Sequence, residues 1–121
     1  MNFFEHYQIE KIHSADFDDK IIIPKGLVCV FLWGHNCPNC EISKNILVDR
    51  KSEVESLDIK WFHANIYEDF KLATRFGLFG IPVFLFFKEG KKLGKISPFP
   101  GFDPFFEAVQ NLKNKINDVA E

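Results

Sequence analysis

LWGHNCPNCEISK, residues 32–44, holds two of the chain's three cysteines in a C-x-x-C spacing. The spacing is open to three readings: a working redox pair, half of a metal site, or two buried thiols close by chance. The residues before it, LVCVFLW (27–33), are apolar at every position. A strand covered on both faces reads this way, the usual state in a parallel sheet. The residues after it, Cys37 to Asp49, read as a helix with Ile42, Ile46 and Leu47 on one face. The cysteine pair therefore falls at a strand-to-helix junction.

Working outward, the alternation continues. QIEKIH (8–13) places Ile9 and Ile12 in an edge strand, and Ser14 to Ile23 reads as a short helix. Ser14 or Asp16 can cap that helix, and Pro24 with Gly26 ends it. DIKWFHANI (58–66) is a further strand, followed by a helix from Tyr67 to Phe76 that Gly77 closes. VFLFF (83–87) is a fourth strand, which KEGKK turns into KLGKI as an antiparallel pair. Asp103 caps a last helix, with Pro104 in its first turn and Phe105, Phe106, Val109, Leu112 and Ile116 facing inward. The order β-α-β-α-β-α-β-β-α defines an α/β chain without repeat, linker or low-complexity segment.

Composition narrows the function classes. At 121 residues and 14.1 kDa the chain suits one domain spanning 1–121. It is 46% hydrophobic and 16% aromatic, enough for one compact core. A net charge of −2 without a basic cluster argues against nucleic acid as a partner. No apolar run approaches ~20 residues, so no membrane span is expected. The start, MNFFEHYQIEK, has no basic head, long apolar stretch or small-residue cleavage site, and does not read as a secretory signal. A cytoplasmic monomer is the expectation. An odd number of cysteines makes no disulfide framework, and in a reducing cytosol a C-x-x-C points to catalysis or metal. Zinc would need four ligands; the motif offers two, and His35 lies too near Cys37 to be an easy third. Neither metal nor other cofactor is expected.

Taken with the element order, several residues resemble the thioredoxin family over nearly the whole chain. Trp33 stands where thioredoxins carry a tryptophan after the central strand, ahead of CPNC. FGLFGIPVFLFFKEGK (76–91) resembles the family segment in which Gly-Ile-Pro precedes a strand and a Lys-x-Gly turn. Gly101 resembles the family's late glycine, reached through a slightly longer loop, SPFPGF. The resemblance implies the thioredoxin fold: a single domain with a central mixed β-sheet flanked by helices. It makes Pro82 the family's cis-proline and Ile81 the residue whose backbone pairs with the substrate chain. It implies a thiol–disulfide oxidoreductase that acts on protein disulfides and is returned to the dithiol by a recycling reductase. The alternative is a thioredoxin-fold adaptor or chaperone that kept its cysteines but turns over little. Fold alone does not separate the two.

The residues themselves suit the redox reading. A thiolate is the attacking species, and a free cysteine is mostly protonated at neutral pH. At a helix N-terminus, unpaired N–H groups and the positive dipole end favour the thiolate of Cys37. Pro38 at the first helical position gives up an N–H that had no helical partner. Cys40 lies one turn deeper, close enough to bridge Cys37. Cys37 is thus read as the nucleophile and Cys40 as the resolving thiol.

The chain also departs from the family pattern. Phe31 occupies the position of the buried aspartate that typical thioredoxins place on the central strand, and His63 matches its accompanying lysine. Glu41 follows the second cysteine where a basic residue is common, and Asn45 replaces the helix proline. Without the acid, the proton of Cys40 needs another acceptor. His63 is either that acceptor or a strand residue with a satisfied hydrogen bond. His35 either tunes the Cys37 thiol or is a surface side chain without a role. Cys29 reads as a small buried hydrophobe. Phe99 and Phe102 are either core or an apolar rim around Cys37.

Overall fold

The computed structural model describes the backbone of residues 2–120 and the side chains of residues 2–116. In chain order the elements are α1 (Phe3–His6), β1 (Glu10–Lys11), α2 (Phe17–Ile21), β2 (Leu27–Trp33), α3 (Pro38–Asp49), α4 (Lys51–Glu55), β3 (Lys60–Asn65), α5 (Phe70–Phe76), β4 (Val83–Lys88), β5 (Lys91–Ile96) and α6 (Phe102–Ala120). The strands form one mixed five-stranded sheet in the order β1-β3-β2-β4-β5. The apolar run becomes its centre: β2 pairs in parallel with β3 and antiparallel with β4. Both its faces are covered, which is why the run is unbroken. Glu89 (φ 48°) and Gly90 (φ 85°) make the two-residue β4–β5 turn, and left-handed backbone at both positions matches the twist of the paired strands.

Side chains of β2 alternate between two cores. Leu27, Cys29 and Phe31 join Phe3, Cys40, Leu47, Phe84, Phe105 and Val109 on the face that carries α1, α3 and α6. Val28, Val30 and Leu32 join Phe17, Ile21, Phe62 and Leu72 on the face that carries α2 and α5. Fully burying each large apolar side chain contributes about 1.5–3 kcal/mol, so both faces are needed to hold the sheet.

Several local expectations change. Two short helices, α1 and α4, lie where no regular element was read. Asn2 caps α1 by accepting a hydrogen bond from the Glu5 N–H at 2.9 Å, and Phe3 anchors the helix in the core. The helix expected over 14–23 shortens to α2, because its polar start is used elsewhere. The Ser14 N–H donates to Asp69, and Asp16 accepts from the His13 N–H rather than capping. The α5 helix starts at Phe70 and ends, as read, on left-handed Gly77. In α3 the inner face is Cys40, Ser43, Lys44 and Leu47, spaced i, i+3, i+4, i+7; Ile42 projects from the opposite side and is exposed. Asp103 lies inside the first turn of α6 rather than at its cap. Phe102 is buried and Phe99 packs on Phe84 and Phe105, so both belong to the core.

Candidate active site

β2 ends at Trp33, and four residues, 34–37, carry the chain from it to α3. Gly34 allows the close approach: a Cβ there would run into the ring of Tyr67 and, at 2.8 Å, into Cδ1 of Ile81. Asn36 takes left-handed backbone (φ 57°), which asparagine tolerates. Cys37 is the N-cap of α3, with Pro38 following it in the first turn. Its sulfur accepts a hydrogen bond from the Cys40 N–H at 3.1 Å. That amide is one of the donors a helix start leaves without an intrahelical partner.

Cys37 and Cys40 are joined as a disulfide, with their Cα atoms 5.3 Å apart. Cys40 is fully buried, whereas Cys37 is part-exposed. The carbonyl oxygen of Ile81 lies 4.0 Å from the Cys37 sulfur. Pro82, joined to Ile81 by a cis peptide bond, is buried, and its carbonyl accepts a hydrogen bond from the Ser97 hydroxyl at 3.0 Å. Cys37, Cys40, Ile81 and Pro82 are thus brought to one place, at the C-terminal end of β2 and the N-terminal end of β4. Cys29 is apart from them, a free thiol buried on β2 whose ionisation is pushed well up by desolvation.

The two histidines have separate partners. His63 receives the Trp33 indole N–H on Nδ1 at 3.1 Å, and the Phe4 ring lies 4.2 Å from it, centroid to centroid. Desolvation, with repulsion from Lys11 and Lys44, pushes its pKa down to about 4; Glu68 offsets this only in part. The imidazole is therefore neutral at pH 7. With Nδ1 accepting, the ring proton sits on Nε2. His35 is exposed, and its Nδ1 lies 3.3 Å from the side-chain nitrogen of Asn65. The Asn65 oxygen is already used, accepting the Tyr67 N–H at 2.9 Å. The Asn65 amide therefore donates to His35, which fixes Nδ1 of that ring as an acceptor too.

Residues not singled out in the sequence complete the surroundings. Lys44 is almost entirely buried, with its ammonium 4.3 Å from the Trp33 ring centroid and 4.8 Å from that of Phe4. It pairs with Glu41 at 3.1 Å, so the carboxylate that follows Cys40 is drawn back along the helix onto a cation. Asn65, Tyr67, Phe4 and Ser97 come from segments remote from the motif. A polar residue at the buried end of a strand (Asn65), and one on the inner face of a helix (Lys44), were the only signals that pointed to them. Phe31 fills its position with apolar contacts, its ring 5.3 Å from Phe3 and 5.1 Å from Phe84. Among the described residues no group of three or more His, Cys, Asp or Glu is placed to hold a metal ion. No helix among them is long and apolar enough to cross a membrane.

A buried-and-exposed cysteine pair at the start of a helix, facing a cis-proline across the central strands of a mixed sheet, defines a dithiol–disulfide protein. Comparison with known proteins gives it a family. The thioredoxin family model matches residues 8–114, and the chain belongs to the thioredoxin family. It is 28% identical over 97 residues to a thioredoxin of Staphylococcus aureus, covering 79% of this chain and 86% of that one. It is 27% identical over 85 residues to the chloroplastic M-type thioredoxin of Pisum sativum, covering 70% of this chain but only 49% of the pea protein. A solved mutant thioredoxin from Halobacterium salinarum shares the fold, with a TM-score of 0.71 at 15% identity over 86% of this chain and 89% of that one. The family implies disulfide oxidoreductase activity.

Proposed function

We propose that the chain is a thiol–disulfide oxidoreductase that reduces disulfides in protein substrates. The observation that carries this reading is the Cys40 N–H directed at the Cys37 sulfur, beside the Ile81 carbonyl. In the reduced protein the same amide and the helix start stabilise a Cys37 thiolate. That thiolate attacks one sulfur of a substrate disulfide; the substrate S–S bond breaks, and the other substrate sulfur leaves as a thiolate. Cys40, once it has lost its proton, attacks Cys37 in the mixed disulfide. The Cys37–Cys40 bond forms and the second substrate thiol is released. Two electrons and two protons have then passed to the substrate, and a separate dithiol reductase restores the pair. Ile81 offers its backbone to the substrate chain, Pro82 holds that backbone beside the sulfur, and Trp33 shields the base of the motif.

Insulin reduction with dithiothreitol tests this. The unaltered protein is expected to accelerate precipitation of the insulin B chain, and Cys37→Ser to abolish the acceleration. Equal rates with and without the unaltered protein would reject the reading in favour of a binding module.

A further inference from the structure

The chain has 15 Phe, 2 Trp and 2 Tyr, and nearly all of these rings are buried or half-buried. Among the described residues, Tyr67, Phe70 and Phe79 are the exposed aromatic side chains. Tyr67 and Phe70 lie where β3 runs into α5, and Phe79 lies in the loop that leads to Ile81 and Pro82. Phe79, two residues before Ile81, is wholly in solvent. Contiguous exposed apolar surface marks an interaction site far more often than scattered single residues do.

The arrangement is built rather than loose. The Tyr67 ring meets His35 at 5.0 Å and stands nearly perpendicular to Phe70 at 6.1 Å. It lies on Gly34, and Ile81 packs on the same glycine. The Ile81 carbonyl is 4.0 Å from the reacting sulfur, and Ile81 and Tyr67 both lie over Gly34, which links Cys37 through Ile81 to Tyr67 and Phe70. The two carboxylates on that turn are both engaged away from the rings: Glu68 pairs with Lys11 at 3.0 Å, and Asp69 accepts from the Ser14 N–H at 2.7 Å.

We propose that Tyr67 and Phe70, with Phe79 beyond Ile81, form an aromatic shelf selecting extended polypeptides with an aromatic or large aliphatic side chain close to the disulfide cysteine. This deepens the reading of the chain as a disulfide reductase and rests on it. The occupant follows from continuity with the reacting sulfur. Attack by Cys37 brings a substrate cysteine over Ile81, and the chain flanking that cysteine must then cross the adjoining surface. An extended chain advances about 3.3 Å per residue, so a side chain a few positions from the cysteine reaches Tyr67 and Phe70. Aromatic rings there contribute through stacking and area with few rotamers to freeze.

The test uses two synthetic disulfide-linked peptides, identical except for Phe or Ser placed two residues from the cysteine, together with hydroxyethyl disulfide. The unaltered protein is expected to reduce the Phe peptide with a kcat/KM about five- to tenfold above the Ser peptide. In Phe70→Ser and in Phe79→Ser that ratio should shrink toward one, falling much more than the rate on hydroxyethyl disulfide. Equal kcat/KM for the two peptides with the unaltered protein would overturn the shelf and leave the reductase reading intact. So would a ratio that survives in both variants, or a variant that slows all three substrates alike. No turnover of any of the three would overturn the reductase reading itself and the shelf with it.

Discussion

The two faces of the sheet are built from one strand by alternation, yet they differ in kind. Toward α2 and α5, β2 offers Val28, Val30 and Leu32 to a core whose buried members are all apolar. Toward α1, α3 and α6 it offers Cys29, Phe31 and Trp33, and there polar groups enter the core. The Trp33 N–H reaches His63, Lys44 reaches Glu41, and the Ser43 hydroxyl turns back to the Asn39 and Cys40 carbonyls. Each of these groups has a partner, as burial requires. The apolar face only stabilises. The redox face must also hold a sulfur pair, so its polar groups are kept on terms that a single substitution can upset.

The largest disturbance of that balance is expected from Phe31→Asp. It removes a fully buried ring and puts a carboxylate between Phe3 and Phe84. Loss of the ring alone costs about 3–5 kcal/mol. The carboxylate adds a pH dependence of known sign. Desolvation raises its pKa in the folded state above the unfolded ~3.9, so the unfolded chain gives up its proton first. Stability relative to the unaltered protein should therefore fall further as pH rises from about 4 to 7. Urea unfolding of both proteins at the two pH values measures this. The same deficit at both would mean that water reaches the position, and that the redox face is less dry than its packing shows.

How much of this was legible in the sequence follows from range. The strand-to-helix placement of CPNC and the two-faced burial of LVCVFLW were readable because each rests on neighbours in the chain, whereas Pro82 was read through the family resemblance of the segment around it. The short helices α1 and α4 were not, since helices of this length have no stability of their own and form only by docking Phe3 and Val54. Ile42, read as inward, projects outward, and Lys44, which was not singled out, takes the inner face. Apolar spacing favoured Ile42, and nothing local revealed that Phe4 and Trp33 would enclose an ammonium. The partner of His63 was hidden for the same reason, because Trp33 reaches it from the next strand and Phe4 from the N-terminal helix.

A middle-sized effect should separate the faces by acid. His63 is the titrating group of the redox core, with a folded pKa pushed below its usual value to about 4. A depressed histidine pKa means that the unfolded state takes up the proton first. The stability that neutral His63 carries is thus present above pH ~6.5 and is lost as pH falls from about 6.5 to 4. The ring is part-exposed, so after allowance for solvent screening the loss is on the order of 1–2 kcal/mol. Lys11 and Lys44 face the ring and deepen it, while Glu68 opposes. His63→Phe should flatten this part of the profile in urea unfolding at half-unit steps of pH. An unchanged slope would place the acid sensitivity of the fold elsewhere.

The smallest expected effect is none, and it concerns the Cys40 proton. In the proposed cycle Cys40 attacks as a thiolate, so its proton must leave before the mixed disulfide resolves. Phe31 has no atom to take it. His63 lies on the right face, but its Nδ1 is occupied by the Trp33 N–H and its Nε2 carries the ring proton. To accept another it would have to become an imidazolium, surrender the Trp33 bond and gain a charge that its surroundings hold down to pH 4. Solvent is then the acceptor, and the resolving rate should rise about tenfold per pH unit while Cys40 stays below its own pKa. Stopped-flow release of a coloured thiol from Cys37 across pH 6 to 9 measures that slope. His63→Gln keeps an acceptor for Trp33 but cannot take up a proton in this range, and it should leave the profile within about twofold. A drop of tenfold or more at neutral pH, vanishing as pH rises, would make His63 the base after all, with the Trp33 bond broken in the mixed disulfide.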